Sequence, residues 1–288
     1  MPETFPGLQA EGLALGQRLV SRYRDLPQAI SILATAYAES GDLTNAQGVW
    51  REHLARHPDT AEGWYRLGLY AVKEGRDAEA AEALFRASAL DPNLPDIQGH
   101  LGRCLLKLDR VEDAVRVLAP VVGADRGGAI RLFHLGHAFL RQGRDSDARE
   151  AFRGAVELAP SYTGAHYGLA TACGRLHLDG EAAEHRDEFR RLKSHDAEVA
   201  AANLTRDETL RMRQLLAAWY ASAGRIAVLS GDERDAEALW LRGSAIAPGQ
   251  ADIRRLLREL FLRQRRHTEA QRLATETPPA ADTDEGSR

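Results

Sequence analysis

Residues 64–92 read WYRLGLYAVKEGRDAEAAEALFRASALDP, and this stretch decides the fold. Trp64, Leu67, Gly68 and Ala71 follow one another at three- and four-residue spacing. Gly75 interrupts, Ala80, Leu84 and Ala87 resume the spacing, and Pro92 ends it. Apolar residues at that period mark one face of a helix. Glycine just past a helix, and proline beyond the next one, are stop signals. The stretch is therefore expected to form two short helices joined by a tight turn.

The same unit recurs in both directions. Moving forward 34 residues reaches Leu101, Gly102, Leu105, Ala114 and Leu118. A further 34 reaches Leu135, Gly136, Phe139, Gly143, Ala148, Phe152, Ala155 and Pro160, and the next step Leu169, Ala170, Cys173, Ala182 and Phe189. Moving back 34 residues reaches Ile30, Leu33, Ala34, Tyr37, Gly41, Ala46, Trp50 and Pro58. After a break, Gly224, Gly231, Ala236, Trp240 and Pro248 form a sixth unit, and Leu257, Phe261 and Ala270 a weaker seventh. The small residue of the second helix is alanine in every unit: Ala46, Ala80, Ala114, Ala148, Ala182, Ala236 and Ala270.

This period and pattern resemble the tetratricopeptide repeat (TPR) family, with its W-x2-L-G-x2-Y…A-x3-F…P unit, over residues 27–274. The resemblance implies an all-α fold: an α-solenoid, a right-handed superhelix of about seven helix-turn-helix repeats. Departures from the pattern are Arg186 at a large apolar place, Arg126 where proline is usual, and Arg258 at the small-residue place. The physics agrees with the resemblance. Gly68, Gly102 and Gly136 each cost about 1 kcal/mol against alanine in a helix, so their recurrence implies close helix–helix approach. One hairpin cannot bury its own apolar stripe, and stacked neighbours are expected to share one continuous core.

The expected organisation is residues 1–26 as a partial repeat or capping helix, 27–194 as five repeats, 195–214 as a helical insertion, 215–275 as two further repeats, and 276–288 as a disordered tail. The first helix (Leu8, Leu13, Leu15, Leu19, Val20, Tyr23) reads either as a cap or as the remnant of a repeat in a longer protein. The insertion is expected to lengthen two helices, one ending near Ala202 and one running from about Arg206 to Leu229. Thr205 and Glu208 give a capping-box start for the second. Its role reads as a spacer or as a docking site. Asn203-Leu204-Thr205 matches a glycosylation acceptor, and Asp282, Asp284 and Gly286 loosely match the start of a calcium loop. Chance accounts for both.

Composition narrows the function classes. At 44% hydrophobic and 28% charged, the 288 residues suit a folded chain rather than a disordered one. The formal charge of -4 and a pI of about 6.2 argue against a dedicated nucleic-acid binder. Two cysteines make neither a disulfide framework nor a four-cysteine zinc site. No apolar run is long enough to span a membrane, and the opening MPETFPGL lacks a secretory pattern. A cytoplasmic location is expected, or a periplasmic one if the chain is a fragment.

No G-x-S-x-G, HExxH, P-loop or dinucleotide fingerprint occurs, so no catalytic residues, metal or cofactor are expected. Gly123–Gly128 (GADRGG) reads as an inter-repeat turn. Cys104 and Cys173 read as buried packing residues. His100 with Cys104, and His134 with His137, have spacings that can place two metal ligands on one helix face, but they also sit at groove and packing positions.

The family resemblance implies that certain first-helix positions line the concave groove. Here they are Tyr65, Arg66, Lys73, His100, Arg103, Lys107, Phe133, His134, His137, Arg141, Tyr167 and Arg175. Acids such as Glu79, Glu82, Glu112, Asp113, Asp147 and Glu150 fall on second helices. A basic, aromatic-bearing face suits an extended acidic peptide or a C-terminal carboxylate. The Lys/Asn set of the family's carboxylate clamps is not matched, since its places hold Ser31, Thr35, Tyr65 and Leu69. Arg254, Arg255, Arg258, Arg263, Arg265, Arg266 and Arg272 form a second basic patch, expected to be solvated. The leading expectation is a non-catalytic scaffold for a protein or peptide partner. The alternatives are a single-stranded nucleic-acid binder and a substrate-recruiting region of a larger enzyme such as a glycosyltransferase. The oligomeric state is open.

Overall fold

A computed structural model describes residues 4–94, 96–119, 126–203 and 208–275. Among them are fifteen helices and no strand, so the all-α helical-repeat fold read from the sequence is the fold observed. A leading helix, α1 (Phe5–Arg22), is followed by α2 (Pro27–Glu39), α3 (Leu43–Arg56), α4 (Ala61–Lys73) and α5 (Asp77–Leu90). Then come α6 (Ile97–Lys107), α7 (Val111–Leu118), α8 (Arg126–Arg141), α9 (Asp145–Leu158) and α10 (Thr163–Arg175). The last five are α11 (Asp179–Asn203), α12 (Glu208–Leu229), α13 (Glu233–Ile246), α14 (Ala251–Arg263) and α15 (His267–Thr275).

One turn closes all seven hairpins from α2/α3 to α14/α15. Each time a backbone N–H just past the first helix bonds back five residues: Asp42 to Tyr37, Arg76 to Ala71, Arg110 to Leu105, Arg144 to Phe139, Leu178 to Cys173, Asp232 to Ala227 and Arg266 to Phe261, all at 2.8–2.9 Å. This is a Schellman closure, and it requires a left-handed residue just before the donor. Four of those residues are glycines (Gly41, Gly75, Gly143, Gly231) and three are not: Asp109, His177 and Arg265 have φ near +60°. The three carry a steric cost that glycine avoids.

The recurring alanines explain how closely the hairpins fold. All seven are at most 2% exposed. Opposite them a Cβ on Gly68 would lie 2.7 Å from Leu84 Cγ, and one on Gly136 would lie 2.7 Å from the Phe152 ring. At these two hairpins a large side chain of the second helix fills the place a Cβ would take. The departures also have a visible outcome. Arg186 is exposed and its Nε donates to Ala182 O at 3.0 Å. Arg126 opens α8, so Arg126–Gly128 of the GADRGG segment are helical rather than a turn, and Gly123–Asp125 lie outside the described residues.

The chain divides into two compact units, Met1–Val49 with Asp207–Arg288, and Trp50–Arg206. The division falls within α3. In the first unit, α1 packs on α2 and on α12. Leu8, Leu15 and Leu19 of α1 and Ala29 and Ile32 of α2 share one core with Met212, Leu216, Trp219, Trp240 and Leu257. The physical reason lies in the apolar face of α1. It needs a cover, and α2 and the distant α12 supply it together. Polar contacts register the fit: Tyr220 OH and Arg242 both donate to Glu11 (2.7 and 2.6 Å), and Arg22 pairs with Asp232 at 2.5 Å.

In the second unit, Leu84, Ile97, Leu101, Cys104 and Leu118 form one buried cluster, and Phe152, Leu169, Cys173 and Ala182 another. The glycosylation triplet is only partly described, and the capping-box Thr205, the tail and its acidic Asp282–Gly286 stretch lie outside the described residues. No described helix is long and apolar enough to cross a membrane.

Candidate binding surface

All twelve groove positions named from the sequence lie on α4, α6, α8 and α10, within the Trp50–Arg206 unit. They fall into three groups. The first holds repeats together. Lys107 Nζ lies 3.2 Å from Asp77. Arg141 pairs with Asp109 and donates to Leu106 O. Arg175 donates to Leu140 O at 2.9 Å and reaches Asp145 at 3.3 Å. Each cation ends a first helix, where it also complements the helix dipole, and each reaches back to the preceding repeat. Arg66 pairs within its own helix with Glu62 at 3.3 Å.

The second group is aromatic. Tyr65 is buried in the core, with its ring 6.2 Å from that of His100. Phe133 is the hub of a ring cluster, 4.6 Å from His137, 5.2 Å from His134 and 6.0 Å from Phe152. Tyr167 is 55% exposed and rests 5.4 Å from Phe189. Lys73 is exposed at the end of α4.

The third group is one guanidinium and three imidazoles: Arg103 with His100, His134 and His137. Arg103 is half-buried, on α6 three residues after His100. Among the described residues it pairs with no carboxylate. Burial pushes His134 down to about 4, helped by the positive neighbours His137, Arg103 and His100. Burial also lowers His100, with Arg103 adding to it, and burial alone lowers His137. At neutral pH the three imidazoles are uncharged and Arg103 carries the local positive charge.

Two neighbours of this surface were not picked out by sequence reasoning. Tyr162 lies 5.0 Å from Phe133, and Asp96 acts on the Tyr65 and Tyr162 hydroxyls, whose pKa values are raised chiefly by burial. Tyr162 precedes α10 and so escapes the helical period; its signal is an aromatic two residues after the punctuating Pro160. His166 was missed too. Its Nε2 donates to Pro160 O at 2.9 Å, leaving Nδ1 to accept from His185 Nδ1 at 3.2 Å, which ties α10 to α11.

Elsewhere, a concavity of about 600 Å³ opens over α5, α6 and α7, lined by Phe85, Leu101, Leu105 and Val117. Cys104 and Cys173 are buried, and burial pushes the Cys104 thiol up to about 11, so it stays protonated and unreactive. No group of three or more His, Cys, Asp or Glu among the described residues has a geometry that could hold a metal ion. In the C-terminal basic patch, Arg266 is bracketed by Glu237 at 2.6 Å and Glu269 at 2.5 Å, and Arg255 pairs with Asp252 at 2.9 Å.

Two tetratricopeptide repeat models match the chain, one over residues 33–95 and 133–197 and one over 71–135. Together they cover more than half of it. The chain belongs to the tetratricopeptide repeat family. No curated protein matches its sequence. Among solved structures, a MamA fragment from Desulfovibrio magneticus RS-1 is 23% identical with a TM-score of 0.52, covering 59% of this chain and 98% of its own. YrrB, described as a TPR protein with an unusual peptide-binding site, is 18% identical with a TM-score of 0.54 over 65% of this chain and 97% of its own. The Pseudomonas aeruginosa pilF protein is 17% identical with a TM-score of 0.51, over 85% and 99%. At these identities the likeness is one of fold.

Proposed function

We propose that this TPR chain is a non-catalytic scaffold that holds an extended acidic segment of a protein partner on the first-helix surface of α4, α6, α8 and α10. The observation that carries the reading is Arg103, a half-buried guanidinium with no carboxylate paired to it among the described residues, set among imidazoles and aromatic rings. Its counterparts Lys107, Arg141 and Arg175 are already matched by acids of the preceding repeat. A cation held without a counter-charge costs desolvation and recovers it when a carboxylate arrives, with bidentate geometry available to a guanidinium. Phe133 and the exposed Tyr167 offer apolar area beside it. YrrB supplies a precedent for peptide binding in this fold.

A random peptide display library panned on the chain at pH 7.5 tests the reading. It should enrich sequences rich in Asp and Glu, and Arg103→Glu should abolish their binding while leaving the helical circular dichroism intact. Binders indifferent to both Arg103→Glu and Tyr167→Ala would overturn it.

A further inference from the structure

In two places a long side chain ties neighbouring second helices together, and both times it is the residue after the recurrent alanine. Arg149, after Ala148 on α9, donates to Glu181 on α11 at 2.7 Å from one terminal nitrogen and 3.1 Å from Nε. Glu237, after Ala236 on α13, accepts from both terminal nitrogens of Arg266, just before α15, at 2.6 and 2.9 Å. The residue after Ala80 on α5 is Ala81. Its methyl group cannot cross to α7. Both receiving groups are nevertheless present on that side. Asp113 stands in the register of Glu181, and Arg110 in that of Arg266. They bond to each other instead, at 2.7 Å. No ion pair or side-chain hydrogen bond joins α5 to α7 among the described residues.

The outcome is the concavity of about 600 Å³ over α5, α6 and α7. Leu101 and Leu105 of α6 form its floor, and Ala81 part of its wall. Phe85 stands at its lip, 64% exposed. At the same place α3, α9 and α11 carry Arg51, Arg153 and Asp187. The rim is polar: Glu82 pairs with Arg86 at 2.6 Å, and Asp113 is shared by Arg110 and Arg116. An apolar centre inside a charged rim is the anatomy of a protein interface.

We propose that this face is a two-fold interface between copies of the chain, with Phe85 of each copy seated in the concavity of the other. Knob and hole lie side by side on one surface, as an isologous contact requires, where residue i meets j and j meets i. The rim is self-complementary as well. Glu82 on the α5 side and Arg116 on the α7 side are both exposed. A two-fold axis parallel to these helices sets α5 of one copy against α7 of the other, and so acid against base at both edges. The surface is distinct from the proposed peptide site, and dimerisation can fail without touching that reading.

Sedimentation equilibrium of the full chain between about 1 and 500 μM tests this. The mass should rise from one copy towards two, with a Kd of about 10–100 μM. Phe85→Ser, at an exposed position, should weaken the dimer at least about tenfold. Ala81→Arg should do the same by placing across the concavity the bridge that Arg149 makes to Glu181, with helical circular dichroism like the parent's. Glu82→Arg and Arg116→Glu should each lose the dimer alone and regain it when mixed, because both cross-interface pairs are then opposite in charge. A chain that stays monomeric throughout overturns the inference, whether or not another protein's side chain takes the concavity. So does a dimer that Phe85→Ser and Ala81→Arg both leave intact, or a mixture of the two charge variants that stays monomeric.

Discussion

The two units use one kind of hairpin for opposite ends. In the unit built from Met1–Val49 and Asp207–Arg288, three acids on the packed faces are matched: Glu11 receives Tyr220 and Arg242, Asp232 receives Arg22, and Glu39 receives Arg211 at 2.6 Å. Its large aromatics, Trp219, Tyr220 and Trp240, are buried. In the Trp50–Arg206 unit, the cations that end α6, α8 and α10 are matched, but Arg103 and its histidines are not, and Tyr167 stays exposed. A repeat whose faces are all spent on its neighbours is a structural element. One that keeps a half-buried charge in reserve is, in the function proposed above, the part that meets the partner.

The contrast breaks most severely if the leading helix is removed. Deleting residues 1–24 uncovers the partners of Leu8, Leu15 and Leu19, each at most 4% exposed. At about 1.5–3 kcal/mol per fully buried leucine, the loss over the three is about 4.5–9 kcal/mol. Calorimetric melting should show the transition of the terminal unit lost, while a separate fragment of residues 50–206 keeps its helical signal.

A smaller effect sharpens the comparison at Glu11. Arg242 and Tyr220 hold its carboxyl below the usual range against an opposing push from burial. A depressed carboxyl contributes stability above its unfolded value, near 4.3, and loses it as pH falls through the folded value. Glu11→Gln should therefore cost about 0.5–1.5 kcal/mol at pH 7, discounted for partial exposure. The difference from the parent chain should shrink below about pH 4, as measured by urea unfolding across pH.

The smallest expected effect is a gain. His177 occupies the left-handed place that glycine fills at Gly231 in the other unit. His177→Gly should stabilise the α10/α11 turn by about 0.5–1 kcal/mol, the relief of backbone strain exceeding the added freedom of the unfolded chain. A denaturation midpoint that moves the other way would place the strain elsewhere.

The repeat was legible because its physics is local. An alanine facing a glycine, a glycine at a Schellman closure and a proline between hairpins each act within a few residues. The seven alanines alone give the register, although three of the seven turns lack the glycine that signals them. The shared core of the two chain ends was not legible. Periodicity shows that α1 has an apolar face without showing what covers it, and the cover begins at Met212. The candidate surface was legible as positions but not as states. Lys107, Arg141 and Arg175 look alike in sequence to Arg103. Their acids stand 30 to 32 residues earlier, beyond any helical spacing.

A core assembled from both ends has a consequence for the order of events at the ribosome. The face of α1 is made before its partners on α12, which begin at Met212, 193 residues after Leu19. At about 5–20 residues per second, that part of its cover follows roughly 10 to 39 seconds later. The Trp50–Arg206 unit is therefore fully synthesised before the core shared by α1 and α12 can close.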